Sequence, residues 1–196
     1  MDLSGRRIAI TGASSGIGEA IALAAADAGA AVALAARRED RITELAKRIE
    51  DGGGRAVALP TDVSDERQAR AFVEHAYEHL GRLDVLVNAA AAPAPGPVEG
   101  ADTERWRRAL AIELLGALYC THAALPVMRA QGGGRILTVA CPDAASASAA
   151  TTRAALVAFS AALADEVAPL GIEVAVLEGA DAAAVVAAAT PRAPAG

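Results

Sequence analysis

The sequence is short of several things at once. Aromatic side chains make up only 3% of its 196 residues. Cysteine occurs twice, as Cys120 and Cys141, and lysine once, as Lys47. Two unpaired cysteines exclude a disulfide scaffold and point to a reducing compartment. Charged residues amount to 21% with a net charge of −6. That balance argues against a surface built for nucleic acid or anionic lipid. No run approaches the roughly 18 uninterrupted apolar residues of a membrane span. The opening MDLSGRR has no hydrophobic signal core, so the expectation is a soluble, cytoplasmic protein.

What the sequence has in excess is alanine, 54 residues within a hydrophobic share of 54%. A chain of this length and apolar content can bury one sizeable core and is not disordered by composition. Alanine favours helix without filling space, so an individual alanine carries little information unless it stands where chemistry needs another group.

Short aliphatic runs alternate with longer amphipathic segments. Strands are predicted at Arg7–Thr11, Ala31–Ala36, Ala56–Pro60, Leu83–Asn88, Arg135–Ala140 and Ile172–Leu177. Helices are predicted at Gly16–Ala28, Glu39–Asp51, Asp65–Leu80, Thr103–Arg129 and Thr151–Pro169. Within the second helix Ile42, Leu45, Ala46 and Ile49 repeat at i, i+3, i+4 and i+7, one helical face. Gly29 and Gly81 follow helix ends where a left-handed cap is needed. Ser64 reads as an N-cap ahead of Asp65 and Glu66. Strand and helix in alternation imply right-handed βαβ units. The strands are apolar throughout, as expected when both faces are covered. The expected architecture is therefore α/β: a single Rossmann-type, doubly wound parallel domain over residues 1–179. About six strands are expected, followed by an Ala/Pro-rich tail, residues 180–196, that reads as loosely ordered.

One string carries most of the chemistry. Thr11-Gly12-Ala13-Ser14-Ser15-Gly16-Ile17-Gly18 follows the first strand and opens the first helix. Phosphate binding calls for backbone N–H groups at the positive end of a helix and a close approach that glycine permits. The strand–turn–helix setting gives the string its weight. Gly12, Ser14, Ser15, Gly16, Ile17 and Gly18 are thus the candidate phosphate-binding residues.

The spacing Gly-x-x-x-Gly-x-Gly resembles that of the short-chain dehydrogenase/reductase family, and the likeness runs over nearly the whole chain. Asp62-Val63 stands where the family contacts the adenine, and Asn88 ends the fourth strand as in the family. Trp106 begins the long fourth helix, and the run from Ala155 to Ile172 matches the fifth helix and sixth strand. The resemblance implies a nicotinamide dinucleotide as cofactor. Its type follows from charge. Relatives that bind NAD keep a carboxylate at the end of the second strand, but here Ala36 is followed by Arg37 and Arg38. Arg37 would offer a planar fork to a 2′-phosphate, so NADP(H) is the expected cofactor. The plainer reading is that both arginines begin a solvated helix.

The family's reaction moves a hydride between nicotinamide and a carbonyl or alcohol carbon. A tyrosine, its pKa lowered by lysine, serves as acid or base, a serine holds the oxygen and an asparagine completes a proton relay. Carried across position by position, the serine falls on Cys141, the tyrosine on Ala149, the lysine on Arg153 and the asparagine on Glu113. Asn88-Ala89-Ala90-Ala91 stands for the family's Asn-Asn-Ala-Gly, and Glu178-Gly179 for its Pro-Gly. No tyrosine or lysine occurs after Tyr119, and arginine does not release its proton at working pH. No residue is therefore assigned as catalytic.

The resemblance implies other differences. Family members are usually longer, with a seventh strand and a lid beyond the sixth strand, so an open pocket is expected. It also implies a homodimer, or a heteromer with a family paralogue, through the fourth and fifth helices. Three functions follow: an inactive or partner subunit, an atypical NADP(H)-dependent oxidoreductase, or a non-redox isomerase or cyclase using Glu113 or Cys141. Cys141 is otherwise a small residue replacing serine, and Glu113 a carboxylate tolerated where the amide was lost. Two further motifs are set aside. Gly12-x-Ser14-x-Gly16 fits a nucleophile elbow but is accounted for by the nucleotide loop. His75-x-x-Glu78-His79 fits an inverted zinc motif but has no third ligand.

Overall fold

A computed structural model describes residues 2–92, 96–100, 102–140 and 146–190. Six strands form one parallel sheet in the order β3-β2-β1-β4-β5-β6: β1 (Arg7–Thr11), β2 (Ala31–Ala36), β3 (Arg55–Pro60), β4 (Val85–Asn88), β5 (Gly134–Ala140) and β6 (Ile172–Glu178). Pairing is parallel throughout, with Ile8 opposite both Val32 and Val85 at the centre. The order reverses between β1 and β4, which is where ligands bind in sheets of this kind.

The strands divide their alternate side chains between two cores. Ile8, Ile10, Val32 and Leu34 face α1 (Gly16–Asp27), α2 (Glu39–Asp51) and α6 (Ala182–Ala189). Ala9, Ala31, Ala33 and Ala35 face the other side. There they pack with α3 (Glu66–Leu80), α4 (Thr103–Ala130) and α5 (Ala147–Val167). The row of three alanines on β2 leaves depth on that face. Phe72 of α3, 1% exposed, is buried in the same core, so an aromatic fills what short side chains leave open.

Several ends differ from expectation. Asp65, not Ser64, caps α3, its carboxylate accepting from the N–H groups of Arg67 and Gln68. Ser64 instead donates to Asp62 Oδ1 from both its N–H and its hydroxyl, at 3.0 and 2.6 Å. Gly81 closes α3 in the left-handed region at φ +76°, and Gly29 has φ +93°. The fifth helix starts at Ala147, earlier than the expected Thr151, because Ser146 caps it by accepting from Ala149 N–H. The segment expected to be a loose tail folds into α6, capped by Asp181, with Val185 and Val186 buried against α1.

α4 changes character midway, where Ala111–Leu115 form a π-helical turn. By length and composition α4 matches a membrane span, but Ile112, Cys120, Ala124 and Met128 lie in the sheet's second core.

Candidate active site

The nucleotide loop is shaped by contacts that only hydrogen on Cα allows. A Cβ on Gly12 would lie 2.5 Å from the carbonyl oxygen of Ala89, so the loop after β1 is pressed against the chain leaving β4. A Cβ on Gly18 would collide with the Gly12 carbonyl. Gly16 differs: its φ is +59° and the space beside it is open, so its missing side chain leaves room for a ligand. Ser15 begins α1 with no side-chain hydrogen bond to the first turn. The leading N–H groups are thus left to an incoming anion.

The loop opens on a groove of about 680 Å³. Its wall includes Arg37, Asp62, Val63 and the β4 exit at residues 89–92. Gly12, Ser14, Ser15, Gly16, Ile17, Arg37, Asp62 and Val63 therefore meet in one groove. Gly18 acts from behind, through the tight turn. Asp62 is tied to Ser64, and its own N–H donates to Gln68 Oε1 at 3.0 Å. Val63 packs tightly under Gly116 of α4, whose Cβ would stand 2.8 Å from Val63 Cγ2.

Two residues that shape this region were left out of the site read from sequence: one lines the groove and the other lines the cavity beside it. The arginine that reaches the phosphate loop is Arg38 rather than Arg37. Its Nη2 donates to Ser14 Oγ at 2.9 Å and Ser15 Oγ at 2.7 Å. Arg37 is exposed in the same wall. Adjacent arginines look equivalent in sequence, and only the turn at the end of β2 decides which one reaches the loop. Thr11 is the other. Its hydroxyl oxygen accepts from Ala89 N–H at 3.0 Å and Ala90 N–H at 3.2 Å, fixing the chain after β4. Its place in front of Gly12 was the available signal.

Beyond the groove, and sharing Ala90, Ala91, Ala92 and Ile112 with it, lies a cavity of about 120 Å³. Ala149, Arg153 and Glu113 all line it, so the positions aligned with the family's tyrosine, lysine and asparagine converge on one space. Cys141 lies outside the described residues. Glu113 sits at the centre of the π-helical turn, half-buried, and its Oε1 accepts from Ala92 N–H at 3.0 Å. Burial raises its pKa above the ordinary glutamate value, and the Ala92 hydrogen bond opposes that only in part. Arg153 pairs with Glu178 at 2.9 Å. The side chains aligned with the family's lysine and Pro-Gly positions thus form an ion pair. Asn88 is buried, and its Nδ2 donates to Thr121 Oγ1 at 3.2 Å. It joins β4 to α4 and lines the cavity beside the groove, its Oδ1 without a hydrogen-bond partner among the described residues.

The rest of the charge and thiol chemistry is elsewhere. Lys47 pairs with Asp51 on α2, and Tyr77 lies on α3. Tyr119 packs against the second core. Cys120 is fully buried there, its thiol pushed up to about 12 by desolvation. His79 Nδ1 lies 2.8 Å from the His75 carbonyl oxygen.

The loop, the open Gly16 and the free start of α1 fit a dinucleotide, and comparison with known proteins agrees. The family model described as short chain dehydrogenase matches residues 6–190. An uncharacterised oxidoreductase of Methylorubrum extorquens is 35% identical over 178 residues, covering 88% of this chain and 71% of that protein. A cis-4-hydroxycyclohexanecarboxylate dehydrogenase of Sinomonas cyclohexanicum is 36% identical, covering 68% of this chain but 54% of its own length. Of solved structures, a 7α-hydroxysteroid dehydrogenase complexed with NADH and a 7-oxo bile acid superposes with a TM-score of 0.84 at 30% identity. It covers 89% of this chain and 70% of that one. An NAD+-bound xylitol dehydrogenase gives a TM-score of 0.86 at 27% identity, over 91% and 71% of the two chains. On the family model, these relatives and the shared architecture, the chain belongs to the short-chain dehydrogenase family.

Proposed function

We propose that this protein binds NADP(H) but does not carry out the family's carbonyl–alcohol hydride transfer, and that it works by association, as an inactive or partner subunit. The observation that carries the reading is the make-up of the cavity wall, which holds Ala149 and Arg153 where the reaction needs a titrating acid and its lysine. The protein's two tyrosines and one lysine lie on α3, α4 and α2 and do not line the cavity. An arginine does not replace lysine in a proton relay, and Arg153 is engaged with Glu178.

A bound nicotinamide would supply the hydride chemistry. The residues here would hold the dinucleotide: the loop N–H groups its phosphates, Asp62 and Val63 the adenine end, and Arg37 and Arg38 a 2′-phosphate. Ala36 supports NADP(H) over NAD(H), because it places no carboxylate against that phosphate.

Calorimetric titration of the whole chain should give tighter binding of NADPH than of NADH, and equal affinities would remove the charge argument. With NADPH present, a panel of ketones and aldehydes should show no oxidation of the cofactor. Turnover that Glu113→Ala or Cys141→Ala abolishes would falsify the inactive reading. It would favour the second one, an atypical oxidoreductase, which draws support from the cavity's continuity with the groove.

A further inference from the structure

The cavity beside the groove has an unusual charge balance. Of the described residues lining it, Glu113 and Arg153 are charged, and the others are threonines, Asn88 and aliphatic side chains. Arg153 is already neutralised by Glu178 at 2.9 Å. Glu113 forms no ion pair among the described residues. One of its oxygens is taken by Ala92 N–H, and no described hydrogen bond uses the other. The wall around it is supplied by Ala90, Ala91, Ala109, Ile112, Ala117 and Leu156. A carboxylate among such groups, half removed from water and without a counter-charge, is costly. That cost is relieved either by protonation or by a cation that fits the space.

We propose that this cavity is a binding site for a small organic ammonium ion, with the cationic nitrogen on Glu113 and a short aliphatic body against the alanine-lined wall. Size supports this class. With roughly 10–15 Å³ sufficient for one water, the cavity's 120 Å³ has room for a small organic ion of several non-hydrogen atoms. A divalent metal is disfavoured because it needs several oxygen ligands, and no metal-holding cluster exists among the described residues. An anionic ligand would have to displace Glu178 from Arg153 and then face Glu113. The site is independent of whether hydride transfer has been lost, since it requires only the cavity and the carboxylate.

The test is a thermal-shift and calorimetric titration of the full chain, without nucleotide, using n-propylammonium chloride and its neutral counterpart 1-propanol. Propylammonium should raise the melting temperature saturably at neutral pH, and 1-propanol should not. Glu113→Gln should weaken propylammonium binding at least tenfold while NADPH binding persists, which separates this inference from the cofactor reading. Arg153→Met should leave binding intact or strengthen it, because the arginine's charge opposes the ligand's. An equal shift from 1-propanol, or undiminished binding by Glu113→Gln, overturns the proposal. A pH series on the unmodified protein decides independently of any variant. Affinity should rise with pH as Glu113, which shares the cavity with Arg153 of the Arg153–Glu178 pair, ionises. An affinity that falls or stays flat would show the carboxyl acting as a neutral group.

Discussion

Gly12 and Gly16 hold similar positive φ angles, +70° and +59°, yet they serve different ends. A methyl group at position 12 meets the Ala89 peptide, whereas at position 16 it meets nothing. Gly12→Ala should therefore destabilise the fold by about 2 kcal/mol or more, from strain plus displacement of backbone. Gly16→Ala should cost only about 1 kcal/mol of strain while weakening NADPH binding more than tenfold. Denaturant midpoints and calorimetry on the two variants check this, and matching stability losses would refute the division of roles. Glu113 supplies a second residue-scale expectation. Its pKa is raised in the folded state, so over the range above the ordinary glutamate pKa the native state holds more protons than the unfolded one. Stability contributed by this group then falls as pH rises through its native pKa. Glu113→Gln should gain stability over the unmodified protein near pH 8 and show no gain near pH 4. A gain independent of pH would mean that titration is not the cause. The spacing of the glycines was legible in the sequence because phosphate approach dictates it. The choice between Arg37 and Arg38 was not, because it depends on a single turn of backbone.

At the scale of elements, the strands and the first three helices could be read from periodicity to within two residues at each end, since hydrophobic pattern and caps both act locally. Two features escaped it. The π-helical turn at Ala111–Leu115 has no signature in a segment that is apolar on either side, yet it is what turns Glu113 toward the cavity. α6 escaped because its alanine-rich sequence carries no amphipathic stripe, and its order comes from tertiary contacts. Val185 and Val186 are buried, and Arg135, reaching from β5, donates to the carbonyl oxygens of Ala188 and Thr190 at the helix end. The same guanidinium meets Glu173 at 2.7 Å, and its side chain is only 13% exposed. A mostly buried cation bonded to helix-terminal carbonyls is worth about 2 kcal/mol. Arg135→Met should lower stability by about that much and expose residues 182–190 to limited proteolysis. An unchanged midpoint with an unchanged digestion pattern would show that apolar packing on α1 alone holds the helix.

Across the whole molecule, the alternation of apolar runs with helical segments was enough to give the parallel sheet, because a strand covered on both faces must be apolar throughout. The same composition hid how the surface is used. Exposed positions Ala154, Val157, Ala158 and Ala161 fall at i, i+3, i+4 and i+7 on α5, an apolar stripe on the outer face of a helix. Leu110 and Leu115 on α4 are also exposed, at 37% and 39%. Together the stripe and the two leucines make the face on which an interface is to be tested. Because the stripe is mostly alanine, two such helices could approach closely, and a long charged side chain in its centre would hold them apart. Ala158→Arg should therefore convert an oligomer into monomers in light scattering, with stability changed by less than about 0.5 kcal/mol because the position contributes nothing to the core. The nucleotide groove lies at the carboxyl ends of the strands, away from this helix face, so cofactor binding by the monomer should be unaltered. An oligomer that persists in Ala158→Arg would move the interface elsewhere, and a monomeric unmodified protein would leave the stripe for a different chain.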